Sequence, residues 1–304
     1  MHYQSALMLL AILIPVALAM AAYVLILVRA AVARKAAPTL EAVGLGAVVN
    51  FFDTLGIGSF ATTTAWLRFR KLVPDRLIPP TLIAGLTPPA MTESIIFLIL
   101  LGVQVDPKLL FGGAIATGLG GVMGAPLVAR ARVWIVQSTV AVGLLLAAVA
   151  FAMTNLHMFP GGGTANGLPP LQTVVAIVAS FAFGLLANFG VGNYAPTLVL
   201  LSLMGMDPRL CFPIMASGAS LMGAGSGIRH VQIGEIDFRI VIGLTIGGIP
   251  AVFVAALLVK SMPLDLLRWL VFVVVIYAAA TMAFAAWKGR KAEKNGTSAA
   301  PQAV

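Results

Sequence analysis

Charged residues are scarce in this sequence. Only 10% of its 304 residues are charged and 60% are hydrophobic, whereas a soluble domain carries about 25% charge. Cysteine is nearly absent as well, and the single Cys211 excludes an internal disulfide and a thiolate metal cluster. The three histidines form no His-Glu-x-x-His motif, so we expect neither a metal nor a cofactor. These shortages leave an all-α polytopic membrane protein as the class that fits.

Acidic residues are rarer than basic ones, which gives a net charge of +9. Such a surplus can indicate nucleic-acid binding, but here the basic residues lie in short runs between apolar segments. That arrangement is the orientation signal of a membrane protein. We therefore expect a lipid bilayer, and no nucleic acid, around this chain.

What the sequence does contain is long hydrophobic segments. We count nine, at 5–28, 38–72, 77–101, 109–128, 133–159, 170–204, 210–228, 240–260 and 264–287. The second and sixth are about 35 residues long, and a straight helix of that length would extend roughly 50 Å, well beyond the ~30 Å hydrocarbon core. Each is too long for one crossing, too short for two, and broken by glycines near its middle. We predict that both are re-entrant helical hairpins, which enter and leave the membrane on one side.

The glycine break is part of an internal repeat. Residues 56–63 read Gly-Ile-Gly-Ser-Phe-Ala-Thr-Thr, and residues 190–197 read Gly-Val-Gly-Asn-Tyr-Ala-Pro-Thr. Gly85 and Gly218 continue the match in the helices that follow. Glycine-interrupted segments at corresponding places in two halves point to a transport site. Each copy holds one hairpin and three full spans, an odd number of crossings. The second copy is therefore inverted, and we predict seven spans plus two hairpins in an inverted repeat.

The predicted units are an N-terminal anchor helix at 1–37, a first repeat at 38–159, a glycine-rich linker at 160–169, a second repeat at 170–287 and a disordered tail at 288–304. With the N-terminus outside and the C-terminus cytoplasmic, the hairpins place 15 of the 19 basic residues inside. If both over-long segments crossed the membrane, the division would be 10 inside and 9 outside. The positive-inside rule therefore favours the hairpins.

The hairpin tips are the predicted binding site. Two tips that meet from opposite faces bring two half-helix starts to the middle of the bilayer, where free backbone N–H groups carry about half a positive charge and bind small anions. Ser59 and Asn193 directly follow the glycines and are expected to cap these helices. The predicted substrate-binding residues are Gly56, Gly58, Ser59, Thr62, Gly190, Gly192, Asn193 and Thr197, with Thr63 and Thr64 as further hydroxyl donors. The alternative for the four glycines is close packing between helices.

Two acidic residues lie inside apolar segments. Asp53 precedes the first glycine pair by three residues, and Glu93 lies deep in the third segment. An ionisable group at such a depth costs at least a few kcal/mol and is functional by default, so we predict that these residues exchange protons during transport. The alternative is that each only orients the tip from a polar crevice. The second repeat has Ala187 and Ser226 at the matching places, so the two halves are not chemically equivalent.

The paired segments resemble a known family. Residues 50–58 read Asn-Phe-Phe-Asp-Thr-Leu-Gly-Ile-Gly, and residues 184–192 read Gly-Leu-Leu-Ala-Asn-Phe-Gly-Val-Gly. With the short charged loops and small-residue helices that follow, the chain is similar over 39–288 to the sulfite exporter TauE/SafE family of permeases, also called TSUP. The resemblance implies export or uptake of small sulfur-containing anions, such as sulfite or organosulfonates, across the bacterial inner membrane. The chain departs from the family at Ser59-Phe60 and Asn193-Tyr194, which replace further glycines.

Two other functions stay open on the sequence. An anion channel would use the same tips without alternating access. An intramembrane serine hydrolase would use Ser226 and His230, which lie four residues apart on one helix face, although the Gly-x-Ser-x-Gly elbow is missing. We expect a secondary transporter and not an enzyme. Export is the easier direction for an anion because the cell interior is negative, and a homodimer is left open.

Overall fold

The computed structural model describes residues 2–55, 59–74, 77–101, 104–128, 133–156, 163–187 and 193–294. These residues fold into eleven α-helices: α1 His2–Ala33, α2 Leu40–Thr54, α3 Ser59–Phe69, α4 Ile78–Leu101, α5 Pro107–Val128, α6 Val133–Asn155, α7 Pro170–Ala187, α8 Tyr194–Leu203, α9 Pro208–Ile233, α10 Phe238–Ser261 and α11 Leu264–Lys294. Within these ranges, the β-type pairing is an isolated bridge between Ala165 and Met206.

Several of these helices suit a bilayer. Among the described residues, five stretches are long and apolar enough to cross a membrane: Leu10–Ala33, Pro80–Leu101, Pro208–Ile233, Phe238–Ser261 and Asp265–Lys294. Large apolar side chains such as Leu18, Val254 and Phe284 are more than 60% exposed, as expected where lipid covers the outer face. This confirms an all-α polytopic membrane protein, while the number of crossings stays a prediction.

The first over-long segment folds back on itself. Glu41 lies in the first turn of α2, and Arg70 directly follows α3. The Arg70 Nε donates to the Glu41 carboxylate at 2.8 Å, and the indole N–H of Trp66 donates to the same carboxylate at 3.1 Å. Because these contacts join the beginning of the segment to its end, α2 and α3 form a helical hairpin. That this hairpin enters and leaves the membrane on one side stays a prediction.

The second over-long segment closes in the same manner. Ala165, shortly before α7, donates its backbone N–H to the carbonyl of Gly205 at 3.2 Å and accepts from the backbone N–H of Asp207 at 3.0 Å. Gly205 and Asp207 lie directly after α8, so the two ends of this segment are again adjacent. Residues 163–169 of the predicted linker therefore help to fasten the second hairpin.

The helices pair across the two halves symmetrically. Hairpin helix α2 packs along α10, and its counterpart α7 packs along α5. Equivalent helices also meet each other, α4 against α9 and α6 against α11. Thr87 lies against Gly223, and the Ser220 hydroxyl donates to the Ala90 carbonyl at 3.1 Å. A shift of 133 residues exchanges these two contacts, so the halves interlock about a pseudo-two-fold axis.

Two prolines inside α4 free backbone carbonyls that accept hydrogen bonds from neighbouring helices. Pro88 and Pro89 lack the N–H groups that would satisfy the carbonyls of Ala84 and Gly85, four residues earlier. The Tyr23 hydroxyl of α1 donates to the Ala84 carbonyl at 2.9 Å, and the Thr245 hydroxyl of α10 donates to the Gly85 carbonyl at 3.1 Å. In lipid such freed carbonyls need partners from other helices, which fixes α1 and α10 against α4.

The C-terminal helix extends beyond its predicted end. α11 continues to Lys294, whereas the disordered tail was predicted to begin at 288. The Glu293 carboxylate accepts a hydrogen bond from the Trp134 indole of α6, and the Lys291 ammonium lies 5.3 Å from the Trp287 ring centre. These contacts hold the first polar turns in the helix, so the predicted boundary was wrong by seven residues. Residues 295–304 lie outside the described chain.

Candidate functional site

Both hairpin tips are positioned by the helices that start there. Ser59 is the first residue of α3, and Tyr194 is the first residue of α8. The four predicted glycines at the tips, Gly56, Gly58, Gly190 and Gly192, lie outside the described residues. The site is therefore built here from the residues that flank them.

The start of α3 is occupied by a carboxylate from its own hairpin. Asp53 is 8% exposed, and its Oδ1 accepts a hydrogen bond of 2.8 Å from the Ser59 backbone N–H. The hydroxyls of Thr62 and Thr63 both donate to the Ser59 carbonyl, at 2.9 and 2.6 Å. The first hairpin thus supplies its own carboxyl group to the start of α3. The hydroxyls of Thr62 and Thr63 are already used in hydrogen bonds within α3.

The Glu93 carboxylate joins the two repeats. It lies on α4 and is 1% exposed. The phenol of Tyr194, at the start of α8, donates to Oε1 at 3.0 Å, and the Thr54 hydroxyl of α2 lies 3.5 Å from Oε2. Thr54 directly follows Asp53 in α2. A continuous polar cluster therefore runs from the first tip through α4 to the second tip.

The start of α8 is arranged differently from the start of α3. Asn193 has helical backbone angles and no capping hydrogen bond, so its predicted role as N-cap is wrong. Its side-chain amide N–H donates instead to the buried Met215 carbonyl of α9 at 3.2 Å. Ser59 is likewise the first helical residue and not the residue before the helix.

Thr197 presents a buried hydroxyl in the first turn of α8. The residue is 2% exposed, and its Oγ1 has no hydrogen-bond partner among the described residues. Burying a hydroxyl without a partner costs about 1–3 kcal/mol. Such a group close to a helix start is therefore suited to a ligand that accepts hydrogen bonds.

Two members of the cluster were not anticipated from the sequence. Tyr194 and Thr54 contact Glu93, but their partner lies 101 and 39 residues away along the chain. One signal was available for Tyr194, since the repeat places Phe60 at the matching position and the second copy adds a hydroxyl. His230, half-buried in the last turn of α9, is apart from this cluster, and the Ser226 side chain lies outside what the structure describes.

Metal chemistry finds no support in the described parts of the chain. No three His, Cys, Asp or Glu side chains converge there as ligands. The polar cluster contains two carboxylates, hydroxyls and an amide.

Comparison with known proteins identifies a family for the second half. The model of the sulfite exporter TauE/SafE family matches residues 173–304, from α7 to the C-terminus. This confirms the resemblance over that range, and the family that matches there is one of sulfite exporters. No curated protein and no solved structure matches the chain. Asp53, Ser59 and Glu93 lie outside the matched range.

Proposed function

We propose that this chain, whose second half matches the sulfite exporter TauE/SafE family, is a secondary transporter that exports small sulfur-containing anions such as sulfite or organosulfonates. The observation that carries the proposal is the hydrogen bond from Tyr194, at the start of α8, to Glu93, which itself contacts the first hairpin. One polar cluster in an apolar bundle thus connects both half-helix starts, where an anion is expected to bind.

The chemistry of the cluster suits a transient ligand. Its described members supply backbone N–H groups, the Thr197 hydroxyl and the Asn193 amide, and none of them is a lysine or an arginine. Helix dipoles attract an anion through partial charges of about half a unit, which is weaker than a buried ion pair. A bound anion can therefore leave again, as transport requires.

Alternating access follows from the arrangement of the repeats. Glu93 of the first repeat contacts Thr54 of the first hairpin and Tyr194 of the second hairpin, so the contact with Tyr194 crosses between the repeats. Rocking of one repeat against the other would open the cluster first to one side and then to the other. Asp53 and Glu93 are the proposed coupling groups. We place the protein in the bacterial inner membrane, with the N-terminus outside and the C-terminus cytoplasmic, where an inside-negative potential favours anion exit by about 2.3 kcal/mol per charge per 100 mV.

Efflux from proteoliposomes tests this function. Vesicles containing wild-type protein and loaded with sulfite should release it faster than protein-free vesicles, and an inside-negative potential should accelerate release. Tyr194→Phe should release it slowly while remaining folded, because the bond to Glu93 is lost. Wild-type vesicles that release neither sulfite nor any tested sulfonate faster than protein-free vesicles would refute the proposal.

A further inference from the structure

The two half-helix starts differ in what occupies them. At α3, the Ser59 N–H already donates to the Asp53 carboxylate at 2.8 Å. At α8, the residue that matches Asp53 is Ala187, which has no carboxylate to offer. There the Thr197 hydroxyl is buried and unpartnered among the described residues. The Thr197 hydroxyl near the α8 start therefore has no acceptor among the described residues, whereas the Ser59 N–H at the α3 start has one in Asp53.

We propose that Asp53 is a built-in anion that holds the start of α3 while it is ionised and yields it to the transported anion when it takes up a proton. This rests on the proposed function, in which both tips bind the substrate. The transported anion then lies between the α3 start and the Thr197 hydroxyl. One proton travels on the Asp53 carboxyl with each anion, and both are released on the opposite side. Doubly charged sulfite therefore still carries one net negative charge across the membrane, whereas methanesulfonate moves without net charge.

The surroundings of Asp53 make the two anions mutually exclusive. Among the described residues, Glu93 of α4 contacts Thr54, which directly follows Asp53, and Tyr194 of α8 donates to Glu93. The other described charged side chains on α2, α3 and α10 lie near helix ends. They are Glu41 of α2, Arg70 directly after α3, and Arg239 and Lys260 of α10. Among the described residues, no cation forms an ion pair with Asp53, so the partner of its ionised form is the helix start. A second negative charge in this buried, low-dielectric region would be strongly repelled.

The proposal predicts how pH acts on anion binding. If the anion binds only when Asp53 is protonated, its apparent Kd rises about tenfold per pH unit in the range where Asp53 is ionised. Methanesulfonate is the probe of choice, because it carries one negative charge throughout the accessible pH range. Any pH dependence then belongs to the protein and not to the ligand.

Thermal stabilisation by methanesulfonate, measured on the full chain in detergent at several pH values, provides the first test. Wild-type protein should be stabilised strongly at low pH and weakly at high pH. Asp53→Asn keeps an oxygen that accepts from Ser59 but has no charge, so its stabilisation should not depend on pH. The control is Asp106→Asn, since Asp106 also accepts from a helix-start N–H, that of Leu109 at 3.0 Å, but is part-exposed directly before α5. This variant should behave like the wild type.

Proton flux in proteoliposomes provides the second test. Wild-type vesicles should acidify the receiving compartment as methanesulfonate arrives, and an imposed pH gradient should drive accumulation. Asp53→Asn should transport without moving protons.

The two hypotheses fail in different ways. Stabilisation of the wild type that does not change with pH, or proton flux retained in Asp53→Asn, would overturn the role of Asp53 while the transport function stands. Wild-type protein that no sulfur anion stabilises, and that transports none, would count against the proposed function itself.

Discussion

Replacing Thr197 by valine should make the protein more stable and a poorer transporter. Valine has nearly the shape of threonine but lacks the hydroxyl, which is buried at 2% exposure and has no partner among the described residues. A substitution at a merely structural position would normally lower stability. Opposite effects on stability and transport therefore distinguish a ligand-binding hydroxyl from a packing residue.

The expected magnitudes follow from the missing partner. A buried hydroxyl without a hydrogen bond costs about 1–3 kcal/mol, so Thr197→Val should raise the free energy of unfolding by about 1 kcal/mol when no substrate is present. A hydrogen bond to a charged group contributes about 1.5–3 kcal/mol. Its loss should raise the KM for the transported anion at least about tenfold, because 1.4 kcal/mol corresponds to a factor of ten.

Two measurements on the same preparation check this prediction. Unfolding in detergent gives the change in stability, and initial efflux rates over a range of sulfite concentrations give KM. Thr117→Val is the matched control, since Thr117 is also 2% exposed but donates to the Gly113 carbonyl at 2.9 Å. This control should be no more stable than the wild type and should keep its KM. A Thr197→Val protein that is less stable than the wild type would refute the reasoning, because its hydroxyl would then have a partner.

Three further predictions concern the hydrogen bond between Tyr194 and Glu93, the packing of α2 against α10, and the inverted repeat. Tyr194→Phe should lower the rate of sulfite efflux about tenfold or more at unchanged expression, since hydrogen bonds to charged groups contribute about 1.5–3 kcal/mol; a wild-type rate would show that the bond to Glu93 is dispensable. Gly247→Ala should lower the melting temperature strongly, because the added methyl collides with a backbone oxygen of α2, whereas Gly44→Ala meets open space and should be tolerated; equal melting temperatures would contradict the close packing of α2 and α10. Single cysteines at Lys71 and Asn166, which are exposed at the ends of the first and second hairpins, should react with a membrane-impermeant reagent from opposite sides, and the native cysteine is buried. Labelling of both from one side would rule out the inverted repeat.

The hairpins could be predicted because the length of each segment does not match the thickness of the membrane. A segment of about 35 residues does not fit a ~30 Å hydrocarbon core as one helix or as two crossings, and glycines mark where it turns. The salt bridge between Glu41 and Arg70 and the pairing of Ala165 with Gly205 then close the two hairpins. Length and glycine placement are properties of the sequence alone, so this part of the fold was accessible.

Hydrogen bonds between residues far apart in the sequence could not be predicted in this way. Asn193 was expected to cap α8 because cap preferences are local, yet its amide serves the Met215 carbonyl on another helix. Tyr194 was overlooked because its role depends on Glu93, which α4 brings to it in the folded bundle. Ser59 was expected to cap α3, yet the acceptor at the start of α3 is Asp53, six residues earlier. The lack of a carboxylate at the matching position of the second repeat, Ala187, was visible in the sequence.

The end of α11 shows how a tertiary contact overrides composition. The residues after 287 are polar and charged, which favours a disordered tail. The helix nevertheless continues, because Trp134 of α6 donates to Glu293 and Lys291 packs over Trp287. Composition alone does not reveal that a neighbouring helix extends equally far.

Counterflow of sulfite in proteoliposomes tests the central claim most directly. Vesicles loaded with a high concentration of unlabelled sulfite are diluted into a trace of labelled sulfite, with the membrane potential clamped at zero. A transporter with alternating access should accumulate the label transiently above equilibrium, and the initial rate should saturate with concentration. Entry of label that never exceeds equilibrium and rises linearly with concentration would contradict the account and indicate a channel.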